Sequence, residues 1–132
     1  MKSINRVAVF LGAAAGLLSM VFIGLTGLAI LWIGTWLGTG SDDTSTWIVL
    51  SISLFGGEFV GGYVAGRLVP SYFSGLHGVV TALMVYAVVS FSSLVAGSSP
   101  NPLTLAGFAL VAAVIGHFAG VWGGRNRDAQ PE

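Results

Sequence analysis

The chain has 132 residues, 55% of them hydrophobic and 8% charged, with no net charge and a mean hydropathy of +0.89. Soluble domains carry about 25% charged residues, so this composition belongs to the bilayer class and suits a single domain. Five basic residues are too few for a nucleic-acid stripe, and the absence of cysteine excludes disulfides, thiolate metal sites and cysteine nucleophiles.

In chain order, Met1-Lys2-Ser3-Ile4-Asn5-Arg6 opens like a signal peptide. The apolar run behind it continues from Val7 to Leu37, well beyond the roughly 7–15 residues of a signal core, so a retained first span is expected. Further apolar stretches cover Trp47 to Val69, Leu76 to Ala96 and Leu103 to Trp122. Each meets the requirement of about 20 residues to cross a hydrocarbon core about 30 Å thick. Turn-like breaks separate them: Gly38-Thr39-Gly40-Ser41-Asp42-Asp43, then Pro70-Ser71-Tyr72, then Gly97-Ser98-Ser99-Pro100-Asn101-Pro102. Connections this short join antiparallel neighbours. The expected fold is an all-α integral membrane four-helix bundle, up-down-up-down, spanning 7–37, 47–69, 76–96 and 103–122. The first span is longer than a bilayer needs and must tilt or project.

Four spans put Lys2, Arg6, Arg67, Arg125 and Arg127, all the basic residues, on one side. The positive-inside rule makes that side cytoplasmic, which predicts a multi-pass protein of the plasma (inner) membrane with both termini inside. Trp32, Trp36 and Trp47 then mark the outer interface, with Tyr72 and Trp122 at the inner one.

The second and fourth spans end alike. Gly57-Glu58-Phe59-Val60-Gly61 precedes Gly66-Arg67, and Gly116-His117-Phe118-Ala119-Gly120 precedes Gly124-Arg125. The echo suggests two tandem helical hairpins related by a pseudo-two-fold along the membrane normal. Arg67 and Arg125 are expected to snorkel to inner headgroups and to stabilise helix C-termini. Glycine spacings at Gly12/Gly16, Gly57/Gly61, Gly62/Gly66 and Gly116/Gly120/Gly124 permit close helix crossings, within the chain, between copies or with another subunit.

Glu58 is the one acid inside any span, and helical spacing places it on a face with Gly61, Gly62 and Ala65. A charge at that depth costs about 2.5–3.5 kcal/mol on insertion scales, so the side chain should face the bundle. It reads either as a protonatable site on an ion path or as a neutral carboxyl that locks the bundle through a hydrogen bond. His117 lies at nearly the same depth and is the natural partner, within direct or one-water reach. A histidine flanked by glycines also fits axial ligation of a haem or chlorin ring, although no second ligand accompanies it; no cofactor or metal is otherwise implied. His77 begins the third span, where an imidazole hydrates readily. Ser51, Ser53, Ser90, Ser92 and Ser93 gather in the outer halves of spans two and three, either lining a vestibule or bonding to i−4 carbonyls and across helices.

The stretch Gly61-Gly62-Tyr63-Val64-Ala65-Gly66-Arg67, followed by Pro70 and Gly75-Leu76-His77-Gly78, resembles small bacterial four-helix membrane proteins with a Gly-Gly-aromatic-x-Ala-Gly-Arg motif, the YrzE-like family of unknown function. The resemblance covers about a quarter of the chain, implies a four-helix fold and brings no activity with it.

No paired acids lie at membrane depth, and no Ser–His arrangement or phosphate loop appears, so no enzyme is expected. The leading expectation is a structural or accessory membrane protein that self-associates or docks into a larger membrane complex through its glycine-rich faces, with the lipid bilayer as solvent. The competing one is a small oligomeric ion or proton channel or transporter using Glu58 and His117.

Overall fold

The computed structural model describes residues 4–38, 42–99 and 101–129. Among the residues discussed above, Met1, Lys2, Ser3, Thr39, Gly40, Ser41 and Pro100 lie outside that set. Four helices follow one another: α1 (Arg6–Trp36), α2 (Asp43–Arg67), α3 (Ser71–Val95) and α4 (Pro102–Asp128). All four are long and apolar enough to cross a membrane, so the molecule is a multi-pass, all-helical membrane protein.

The helices begin where capping chemistry allows, which moves the expected boundaries. The α2 helix starts four residues ahead of the apolar run, because Asp42 accepts from the Ser45 backbone N–H at 2.9 Å and from its hydroxyl. The α3 helix starts directly after Pro70, whereas the sequence suggested a turn through Tyr72. Pro102, expected in a break, is the first residue of α4, a position where the missing N–H costs nothing, and Asn101 caps it through Leu103 N–H. The α4 helix then runs six residues past Trp122, ending with Arg125 and Arg127 in its last turn. At the other ends, Gly38 and Gly97 adopt φ of 78° and 87°, the left-handed conformation that closes a helix at low cost only for glycine. After α3 the motif is complete, with Gly97 N–H on Leu94 O and Ser98 N–H on Ser93 O.

The Asp42 cap carries a pH dependence. Its two bonds from Ser45, the hydroxyl first, hold its carboxyl below the ordinary 3.8. The cap's contribution is therefore complete above 3.8 and fades as pH falls through the lowered value. The protection of the Ser45 amide relative to its intrinsic exchange rate should fall on acidification below pH 3.8, and Asp42→Asn should abolish that pH dependence.

In cross-section the bundle is a rhombus. The central α2 and α3 touch each other, and each touches both outer helices; α1 and α4 do not meet. This corrects the tandem two-fold. A two-fold carrying α1 onto α3 and α2 onto α4 would make the α2/α3 and α1/α4 contacts equivalent, and only the first exists. The echo between spans two and four therefore reflects a shared need for small residues, because each of the two helices packs closely on more than one other.

Candidate functional site

Three helix crossings close the half of the bundle that carries the described chain ends. On α1 and α2, Gly12 and Gly16 meet Gly57 and Gly61 backbone to backbone. A Cβ on Gly12 would stand 2.7 Å from Gly61 O, and one on Gly16 would stand 2.7 Å from Gly57 O. The neighbouring stripe of α2 meets α4, where a Cβ on Gly62 would lie 3.1 Å from Gly116 O, and one on Gly66 would collide with Gly120 O. The α4 glycines are shared with α3: Gly78 abuts Gly116, and Gly120 and Gly124 abut Ser74. Gly57, Gly61, Gly62, Gly66, Gly116, Gly120 and Gly124 are all buried. Arg67 and Arg125 sit exposed at this same end.

Between the two glycine stripes of α2 projects Glu58. It is completely buried (0% exposed), and neither carboxyl oxygen has a hydrogen-bond partner among the described residues. The Thr81 hydroxyl of α3 shares both properties. The Thr81 methyl is turned toward the α1/α2 crossing, 3.0 Å from a Cβ placed on Gly12 and 3.4 Å from one on Gly61. Around them the core is small and apolar, with Ala65, Ala82, Val85, Ala112 and Ala119 all at 0% exposure.

His117 does not join Glu58. It lies exposed on the α4 surface, its ring beside Gly75 and edge-on to Phe118 at 5.8 Å. The expected pair is therefore corrected. Similar depth did not bring the two residues together, because Glu58 faces the axis of the rhombus while His117 turns toward its perimeter, on the side away from Ala112 and Ala119. That placement also leaves the imidazole out of any interior cofactor cage. Among the described residues no cluster of three or more His, Cys, Asp or Glu could hold a metal.

His77, read from sequence as a hydrated interfacial residue, is 4% exposed and bonded at both ring nitrogens. Nδ1 faces Phe73 O at 2.9 Å, and Nε2 accepts the Asn5 backbone N–H at 2.9 Å. Asn5 in turn caps α1 through Val7 and Ala8 N–H. The imidazole thus fastens the start of α1 to α3, a pairing with no local sequence signal because 72 positions separate the partners. His77→Ala should leave a part-buried N–H without its acceptor, at about 1–3 kcal/mol. The check is faster amide exchange at Asn5, Val7 and Ala8 than in the parent protein.

The serines divide as hydrogen-bonding groups do in lipid. Ser53 donates across to Met20 O on α1, and Ser92 donates to its own i−4 carbonyl, Val88 O. Tyr86 ties α3 to α4 through Leu105 O at 2.9 Å. Near the chain ends, Trp122 packs edge-on to Phe59 and Tyr63, and Asn126 donates to the Tyr63 hydroxyl. Where the start of α1 runs beside α3, Ile4, Arg6, Val9, Phe10, Val80 and Met84 line an open, mostly apolar groove. Compared with known proteins, the chain matches no family model, no curated protein and no solved structure.

Proposed function

We propose that the protein is a structural or accessory membrane subunit that self-associates or docks into a larger membrane complex. The observation that supports this reading is the closed interior: backbones in contact at Gly12/Gly61, Gly62/Gly116 and Gly78/Gly116 leave no lumen through the monomer at that level. The sequence pointed to the glycine faces as the docking surface, but those faces are spent inside the chain. Docking is therefore assigned to the flanks, the loop-end halves of α1 and α4, which do not meet each other. Phe22, Leu25 and Ile30 are exposed on one flank, and Leu103, Leu110 and Val114 on the other. With two separate flanks, one chain can join two neighbours.

We place the termini in the cytoplasm and the chain in the plasma (inner) membrane. Arg6, Arg67, Arg125 and Arg127 sit at one end of the antiparallel bundle, with Asp42 and Asp43 at the other, and the positive-inside rule supports that polarity. No enzymatic activity is assigned, and the likeness to YrzE-like membrane proteins is kept as a proposal about ancestry.

The chain has no cysteine of its own, so single introduced cysteines report contacts cleanly. Oxidation of Phe22→Cys or Leu110→Cys in native membranes should give disulfide-linked species, and Ala65→Cys, wholly buried, should not. A monomeric native mass on gentle extraction, with no cross-link from either flank, would end this reading. A second reading, an oligomeric ion or proton pathway, is favoured by the enclosed, unpartnered Glu58 carboxyl, without His117.

A further inference from the structure

Glu58 and Thr81 are both at 0% exposure, and unlike the other buried polar side chains, Ser53, Ser74 and His77, they have no hydrogen-bond partner among the described residues. Buried polar groups are almost always satisfied by protein, water or an ion, so two orphans on facing helices ask for a common explanation. Their depths agree. Glu58 lies nine residues before the end of α2 and Thr81 ten residues after the start of α3, about 14 Å and 15 Å from the same end of the bundle. The contact between Gly61 and the Thr81 methyl fixes that register directly. With its methyl spent on the α1/α2 crossing, the Thr81 hydroxyl is left to the core interior.

We propose that Glu58 and Thr81 form a binding site for one small monovalent cation of the Na+ class, which shares the carboxylate with a competing proton. The donors are hard oxygens, carboxylate and hydroxyl, with no nitrogen or sulfur ligand, which selects against transition metals. Charge decides the valence. One carboxylate neutralises one positive charge, while a divalent ion would leave an uncompensated net charge buried in the core. No other ionisable group competes from the surrounding elements. The buried residues of α1 are Ala8, Val9, Gly12, Ala13, Gly16 and Gly24, none of them ionisable. On α3, His77 lies one turn toward the chain ends with both ring nitrogens engaged, and Tyr86 donates to Leu105 O. On α4, His117 is exposed on the perimeter. The inference goes beyond the docking role and does not require it; it rests on the second reading only for its use in transport.

The test is thermal unfolding of the purified full chain in detergent, with NaCl replaced stepwise by choline chloride at constant ionic strength. A ligand that binds only the folded state multiplies the folded-to-unfolded ratio about tenfold for each tenfold rise in free ligand above its dissociation constant. The wild-type midpoint should therefore climb with Na+, and should climb less at acidic pH, where protons occupy the carboxylate. Glu58→Gln and Thr81→Val should remove the Na+ dependence. Wild-type midpoints that are equal in Na+ and choline overturn the site, and this arm needs no variant to fold. Retention of the Na+ effect by Glu58→Gln overturns it as well. Na+ flux into vesicles separates the two ideas: binding without flux keeps the site and ends the transport reading.

Discussion

Gly78→Ala is expected to destabilise the bundle by roughly 1–3 kcal/mol, the cost of overpacking a filled core. The new methyl would drive into Gly116 O and come within 2.9 Å of Gly120 Cα. The obstacle is backbone on a helix that also packs against α2, so no side chain can rotate away and α4 must shift as a unit. Gly107→Ala is the matched control, since a Cβ there meets nothing within 4 Å. Alanine is also the better helix former by about 0.8–1.0 kcal/mol in aqueous hosts, so that variant should be neutral or mildly stabilising. Unfolding in mixed micelles with increasing denaturing detergent would compare the two. Equal stability of Gly78→Ala and the parent would mean that α3 and α4 approach less closely than the Gly78–Gly116 contact requires.

Glu58→Met, measured without sodium, is expected to stabilise the protein by about 1–3 kcal/mol. Methionine keeps the length and approximate volume of the side chain and removes a buried group whose hydrogen-bonding capacity is unmet, a defect of that size. A flexible thioether also adapts to the small residues around the site. The outcome separates two roles. A carboxyl that locked the bundle by hydrogen bonds would make Glu58→Met destabilising, whereas one held at the expense of stability, as functional groups often are, makes it stabilising. The same unfolding assay in choline buffer decides between them, and loss of stability would return Glu58 to a purely architectural part.

Much of the architecture was legible in the sequence because membrane insertion is governed by composition over long windows. Runs of about 20 apolar residues, broken by Gly, Pro, Asn and Asp, announce spans and turns whatever the packing. Helix ends were read less well. Asp42 and Pro102 set the starts of α2 and α4 through capping and proline geometry, which hydropathy does not register. Glu58 could be singled out as buried because lipid rejects a charge so strongly that one residue is informative.

Its surroundings could not be read that way. The pairing with His117 assumed a symmetric arrangement of hairpins, and depth along a helix says nothing of azimuth in the bundle. Thr81 escaped notice because a threonine in a span ordinarily satisfies itself on its own backbone, and only its neighbours show that this one does not. The His77–Asn5 bond joins positions far apart in the chain, so no local pattern carries it. Glycine spacing announced close crossings without naming partners, since the same small face fits any helix that offers another.

Hydropathy and residue position were thus enough for the class, the number of spans and the depth of each polar group, because burial in lipid acts on residues one at a time. Which glycine meets which, which helix faces stay open, and whether a buried polar group finds a partner were decided only by tertiary packing. Those are properties of pairs of helices, and the shape of both surfaces sets them together.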